Sequence, residues 1–279
     1  MKLDNWLAQR SQSCPDRVAL VADGVATTFS APEEAAQHAA RRLTAYGVRR
    51  GATVAMTMRG GRGQVVLIHA LMKTGSILLP VSPRLSDEER SRALKQCRVS
   101  IDLDEPDRLT RTEADMPLLG EHDMEDIHCR ILTSGSSGAA HAVGLTYGNH
   151  LFSAMGSAYN IGVDPGDRWL CALPLSHISG LSIIMRSVIY GTAVVLHDGF
   201  DVDAVARSIP EQGVTMISMV STMLLRLLDA GADLSAPRAI LVGGGPVPQE
   251  ALERALDRGA NVIQTYGLTE TCSQVTTLE

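Results

Sequence analysis

Six consecutive small residues, Thr133, Ser134, Gly135, Ser136, Ser137 and Gly138, stand between an apolar run at 127–132 and a second strand-like run at 142–146. Glycine permits close approach and positive φ, and Ser and Thr add short donors, so such a loop can wrap a polyphosphate. A Ser/Gly stretch is also what an ordinary flexible turn looks like. Two further segments shift that balance. Gly243, Gly244, Gly245 and Pro246 follow the apolar run 239–242, and Thr265, Tyr266, Gly267, Leu268, Thr269 and Glu270 follow another strand-like run. By themselves the three glycines could simply turn the chain into a helix, and Glu270 could be a charge placed at a helix start.

The elements that must position these segments alternate along the chain. Residues 2–12 read as a short helix. The runs 18–22 and 25–29 flank Asp23 and Gly24, a hairpin signal that needs positive φ. Ser30 is placed to cap a helix through Tyr46, with Pro32 in its first turn and Gly47 as its stop. Strands are expected at 53–58 and 76–81, with helices at 64–73 and from Ser86 to about Cys97. The acidic stretch 102–126 reads as the longest irregular segment. Further strands are expected at 168–172, 192–197, 214–218, 238–242 and 261–264, and helices at 148–160, 178–190, 201–209, 220–230 and 248–258. Such alternation predicts an α/β fold of parallel sheets with helices on both faces and ligands at the carboxyl ends of strands. All three small-residue segments follow strand runs.

Composition allows this and excludes other classes. The 279 residues are 45% hydrophobic but only 4% aromatic, so aliphatic side chains must fill a sizeable core. A net charge of −6 offers no basic face for nucleic acid. The five cysteines are scattered, never in Cys-x-x-Cys spacing, and read as reduced thiols. The stretch from His122 to Cys129 fits no common zinc spacing and reads as a polar loop. No run approaches a membrane span or a signal peptide, so the expectation is a cytoplasmic protein with no membrane partner. A homo-oligomer stays open.

The three segments, in this order, resemble the adenylate-forming family of acyl- and aryl-CoA ligases. The likeness covers essentially the whole chain and is densest from Ile131 to Gln274. It extends through the segments 146–150, 169–175, 177–182, 185–191 and 264–274, which look like the branch acting on 2-succinylbenzoate in menaquinone biosynthesis. The resemblance implies that a carboxylate attacks the α-phosphate of ATP, releases pyrophosphate, and is then passed to CoA. It implies that Thr133 to Gly138 hold the phosphates and that Gly244, Gly245, Pro246, Thr265, Tyr266 and Gly267 meet the nucleotide, with Tyr266 stacked on adenine. Thr269 would meet the α-phosphate, and Glu270 would hold Mg²⁺. His177, Ser179, Gly180, Leu181, Gly243, Gly244, Gly267 and Leu268 would form the acyl pocket. His177, otherwise an ordinary capping or core residue, would lie at its mouth and join Thr269 and Glu270 as a catalytic group. Two subdomains are implied, about 48–165 and 1–47 plus 166–279.

Two departures from the family pattern matter. The phosphate loop of the family continues into a lysine, and here His141 stands about where that lysine would be. The family also continues into a ribose-binding Asp, a hinge and a small C-terminal lid with a catalytic lysine, none of which has a counterpart within these 279 residues. The expectation is therefore a lid-less N-terminal domain that binds ligands but turns over very slowly. Another aryl- or acyl-CoA ligase is the near alternative, and a non-catalytic nucleotide- or acyl-binding module the distant one. A serine hydrolase is disfavoured because no Gly-x-Ser-x-Gly elbow is present.

Overall fold

The computed structural model describes residues 1–104, 112–133 and 141–278. Its first element is not the expected helix over 2–12. A short strand, β1 (Lys2–Asp4), pairs with residues 121–123, and α1 (Trp6–Ser13) starts only after Asn5, whose side chain accepts from the Ala8 amide. β2 (Val18–Ala22) and β3 (Val25–Thr28) form the expected hairpin, with Asp23 and Gly24 at φ 53° and 71°. α2 (Ser30–Tyr46) ends at Gly47, φ 115°, as anticipated. Ser30 does not cap it. The capping position is Phe29, with no side-chain bond, and the Ser30 hydroxyl donates instead to the Pro15 carbonyl.

Next come β4 (Thr53–Thr57), α3 (Arg62–Thr74), β5 (Ile77–Val81) and α4 (Asp87–Gln96). Ser86 and Glu89 close a reciprocal capping box at the start of α4, satisfying two amides that the helix cannot. The stretch expected to be irregular contains β6 (Ile101–Leu103) and β7 (Glu121–Asp123), both too short for a periodic signal. β8 (Ile127–Thr133) and β9 (His141–Thr146) complete a five-stranded sheet ordered β6-β4-β5-β8-β9.

The remaining chain supplies α5 (Tyr147–Ile161), β10 (Arg168–Cys171), α6 (Ile178–Tyr190), β11 (Ala193–Leu196), α7 (Val202–Glu211), β12 (Met216–Val220), α8 (Ser221–Asp229), β13 (Ala239–Gly243), α9 (Gln249–Asp257), β14 (Val262–Leu268) and β15 (Ser273–Leu278). With β2 and β3 they form an eight-stranded sheet ordered β15-β14-β13-β12-β10-β11-β2-β3. The sheets are parallel in their centres but mixed overall. β3, β9 and β15 each run antiparallel to their neighbours at an edge. A strand folded back by a short turn needs no crossover helix, so edges can close this way while the buried centre stays parallel.

Aliphatic packing fills the interior, as the composition demanded. One cluster joins α1, α2 and α3 to both sheets, and a second lies between β10 to β13 and α7 to α9. Two ion pairs enter the core. Lys73 donates to Glu33 at 2.6 Å, both buried. Asp167 accepts from Arg238 Nε and Nη2 at 2.8 and 2.6 Å and from Thr215 Oγ1 at 2.8 Å, tying β10, β12 and β13 together at their amino ends. Burial alone would raise the Asp167 carboxyl, but these donors and the Asp164 amide, which donates to Oδ2 at 2.9 Å, hold it below the usual carboxylate range. The carboxyl ends of those strands are left to the site. No helix among the described residues is long and apolar enough to cross a membrane.

Candidate active site

Four parallel strands, β10, β12, β13 and β14, end on the same edge of the large sheet. Strands alternate side chains and the sheet twists, so a crevice opens beyond their carboxyl ends. Two adjoining cavities occupy it, about 500 and about 470 Å³. They share Gly244, Thr265, Gly267 and Leu268 along their common wall.

Glycine is needed on that wall for packing. A Cβ on Gly243 would fall 2.4 Å from Thr265 Oγ1, and one on Gly267 would fall 2.0 Å from the Ser273 carbonyl oxygen. Gly243 lets β13 approach β14, and Gly267 lets β14 approach β15 where their register shifts. Gly244, at φ 80°, adopts a conformation that side-chain-bearing residues rarely reach. The strip 243–246 is therefore both a turn and a cavity wall.

The smaller cavity is lined by Gly244, Gly245, Pro246, Gln264, Thr265 and Tyr266, among others. The Tyr266 ring is 59% exposed, so one aromatic face is available for a flat ligand. The larger cavity collects His177, Ser179, Gly243, Gly244, Gly267, Leu268 and Thr269. His177 sits at the N-cap of α6 without a capping bond of its own. Burial, and then the cation of Arg84, push its pKa down, so the ring is a neutral imidazole at ordinary pH.

Not every expected site residue is brought there. Gly180 and Leu181 do not line either cavity. Leu181 is fully buried in the core, and a Cβ on Gly180 would lie 2.5 Å from the Pro174 carbonyl oxygen. These two residues seat α6 on the 173–174 segment and do not form the wall of the pocket. The reason is helical phase: Ser179, Ser182 and Arg186 recur at i, i+3 and i+7 and turn to the cavity, while 180 and 181 turn inward. Glu270 is exposed beside Thr269 and is not part of either lining. Thr133 ends β8, its hydroxyl donating to the His141 carbonyl. Ser134, Gly135, Ser136, Ser137 and Gly138 lie outside the described residues.

Two side chains that sequence reasoning left out are the most unusual in the cavity. Arg186 is only 4% exposed, yet among the described residues it has no carboxylate partner. Its Nη2 donates to Ser153 Oγ at 3.2 Å, the guanidinium lies 5.6 Å over the Trp169 ring, and Nε has no partner. Burial pushes its pKa down from the usual arginine value. Gln274, across the cavity on β15, has neither amide atom satisfied. Buried polar atoms are normally paired, so a cation and an amide left open on one cavity mark a place for an anionic, hydrogen-bonding ligand. The i, i+3, i+7 spacing from Ser179 was the available sequence signal for Arg186.

The sequence model of the AMP-binding enzyme family matches residues 7–279. The 2-succinylbenzoate–CoA ligase of Bacillus subtilis (strain 168) is 39% identical over 294 residues, covering 98% of this chain and 60% of that protein. The corresponding ligase of Bacillus pumilus (strain SAFR-032) is 37% identical, covering 100% of this chain and 61% of its own length. Among solved structures, o-succinylbenzoate CoA synthetase from Bacillus subtilis in complex with the acyl-adenylate intermediate OSB-AMP superposes with a TM-score of 0.93 at 38% identity. That match covers 100% of this chain and 61% of the other. The same enzyme in complex with ATP and magnesium ion gives a TM-score of 0.93 at 38% identity, covering 100% of this chain and 62% of that one. The chain thus spans about three-fifths of the length of these relatives.

Proposed function

Because the chain belongs to the AMP-binding enzyme family, we propose that it supplies the nucleotide and acyl sites of a 2-succinylbenzoate–CoA ligase. That enzyme activates one carboxylate with ATP and transfers the acyl group to CoA. The substrate is a dicarboxylate, so one acid reacts while the other stays anionic. The open Arg186 guanidinium and the unpaired Gln274 amide lining one cavity are the observation that carries this reading. An acyl-CoA ligase for a plain fatty acid would have no use for a buried cation there.

The two cavities divide the work. Tyr266 and the strip Gly244 to Pro246 take the adenine side, Thr269 donates toward the α-phosphate at the shared wall, and Arg186 anchors the far acid. His177, neutral, hydrogen-bonds the carbonyl end of the acyl group. Glu270 is exposed next to Thr269 and has no ion-pair partner among the described residues, which suits a hard cation such as Mg²⁺. When bound, that ion would neutralise charge on the phosphates. Thr133 to Gly138 would receive the departing pyrophosphate. The five-stranded sheet supports a subdomain of about 48–165 and the eight-stranded sheet one of 1–47 plus 166–279, in a cytoplasmic protein.

Calorimetric titration tests the assignment. A succinylbenzoyl-adenylate mimic is expected to bind more tightly than acetyl- or palmitoyl-adenylate mimics, and equal affinities would refute the acyl assignment. His177→Ala is expected to weaken the succinylbenzoyl mimic by roughly 1–3 kcal/mol and to leave ATP unchanged. Equal weakening of both would make the histidine structural. His141 is exposed at the start of β9, opposite Thr133. His141→Lys puts a permanent cation beside the phosphate loop and should strengthen ATP binding by about 0.2–1 kcal/mol, less at high salt. A lysine variant that binds ATP no better would show that hydroxyls and amides suffice.

A further inference from the structure

Away from the cavities, β8 carries His128 and Cys129 side by side. A regular strand would send them to opposite faces, but the pairing of β8 with β9 shifts register between Ile127 and Cys129. Such a bulge re-aims a side chain, and here both turn toward His150 on α5. His128 Nδ1 lies 3.0 Å from His150 Nε2, and Cys129 Sγ lies 3.6 Å from the same nitrogen. One donor atom from each of the three residues lies within 4.8 Å of the others, and all three residues are buried. A metal with M–N near 2.0 Å and M–S near 2.3 Å holds its ligand atoms roughly 3.3–3.8 Å apart, so small movements suffice.

The surroundings fit ligation. The second ring nitrogen of His150 is 3.5 Å from Cys272 Sγ, an outer partner that fixes the ring as metal-bound histidines require. Both rings are buried, which favours the neutral imidazole with a lone pair to offer. The other titratable neighbours are His122, His69, Tyr147 and Arg186. His128 Nε2 has no partner at all.

We propose that His128, Cys129 and His150 form a buried site for a monovalent soft metal ion, Cu⁺. Charge decides between the candidates. One thiolate neutralises Cu⁺, whereas Zn²⁺ would leave a net positive charge in the interior, facing the Arg186 guanidinium. Three ligands also complete a trigonal Cu⁺ centre, while tetrahedral Zn²⁺ asks for a fourth. On binding, Cys129 forms the S–Cu bond and its thiol proton leaves to solvent. The imidazoles keep their protons on His128 Nε2 and His150 Nδ1, and copper does not change oxidation state. The site joins β8, which leads into Thr133, to α5 and, through Cys272, to the turn after Glu270.

Anaerobic competition between the protein and a chromogenic Cu⁺ chelator tests this. The expected result is one Cu⁺ per chain, with affinity lowered about a hundredfold or more by Cys129→Ala and by His150→Gln. Cys14→Ala, at a partly exposed thiol outside the cluster, should leave it unchanged. X-ray absorption of the copper-loaded wild type should show two nitrogen neighbours and one sulfur, which decides the matter even if a variant fails to fold. Equal retention of copper by Cys129→Ala, loss in Cys14→Ala, or a copper shell lacking sulfur would overturn the site. Zn²⁺ displacing Cu⁺ at equal concentration would overturn the choice of ion.

Discussion

Arg186→Leu is expected to lower the affinity for a succinylbenzoyl-adenylate mimic by roughly 3 kcal/mol, a factor on the order of a hundred, because a desolvated charge loses its only full partner. ATP, which the proposed division of the two cavities keeps away from Arg186, should bind as before. The sign of the stability change separates this reading from a structural one. In the free protein the guanidinium is buried without a carboxylate among the described residues, holding only Ser153 and the face of Trp169. Leucine relieves that desolvation while still covering the indole. Chemical denaturation should therefore show the variant to be at least as stable as the wild type. A variant that loses stability while keeping its affinity would refute the ligand role.

Gly180→Ala should do the reverse and cost about 2–3 kcal/mol of stability, the range for forcing an extra carbon into a packed interior. The new Cβ would lie 2.5 Å from the Pro174 oxygen and 2.8 Å from the Leu173 oxygen. Both atoms belong to backbone, so α6 must lift off the segment that carries Pro174 and His177. Mimic affinity should fall with it, because His177 moves. A urea midpoint unchanged from wild type would show that the helix has more room than these distances allow.

Most of the central strands were readable because each is an aliphatic run bounded by turn residues, as in 239–242 before Gly243 or 53–57 after Gly51. What escaped notice was stabilised from a distance. β1 is three residues long and exists because 121–123 pair with it, a contact no local window contains. β15 has only Val275 and Leu278 as apolar residues, three apart and with no alternation, too polar to read as a strand until β14 lies beside it. Ser30 has the right chemistry for a cap, but the helix begins one residue earlier and the hydroxyl finds Pro15. In the site, resemblance pointed to Tyr266, Thr269 and the glycine strip, all of which line the cavities. It misplaced Gly180 and Leu181, since a contiguous motif on a helix cannot all face one way. Arg186 was left out for a different reason. Sequence displays a charge but not the lack of a counter-charge, and that lack is what gives the residue its meaning.

The chain has two tryptophans, and they stand in unlike places. Trp6 lies in the core against Tyr147 and lines neither cavity. Trp169 lies directly behind Arg186, its Nε1–H donating to Ser218 Oγ at 3.0 Å, and both of those partners line the larger cavity. An indole excited beside a fixed cation emits under that cation's field, so an anion drawn to Arg186 alters the colour and yield of Trp169 alone. With only five tyrosines to obscure it, the protein carries an optical gauge of acyl-pocket occupancy in its own sequence, with Trp6 as the silent reference.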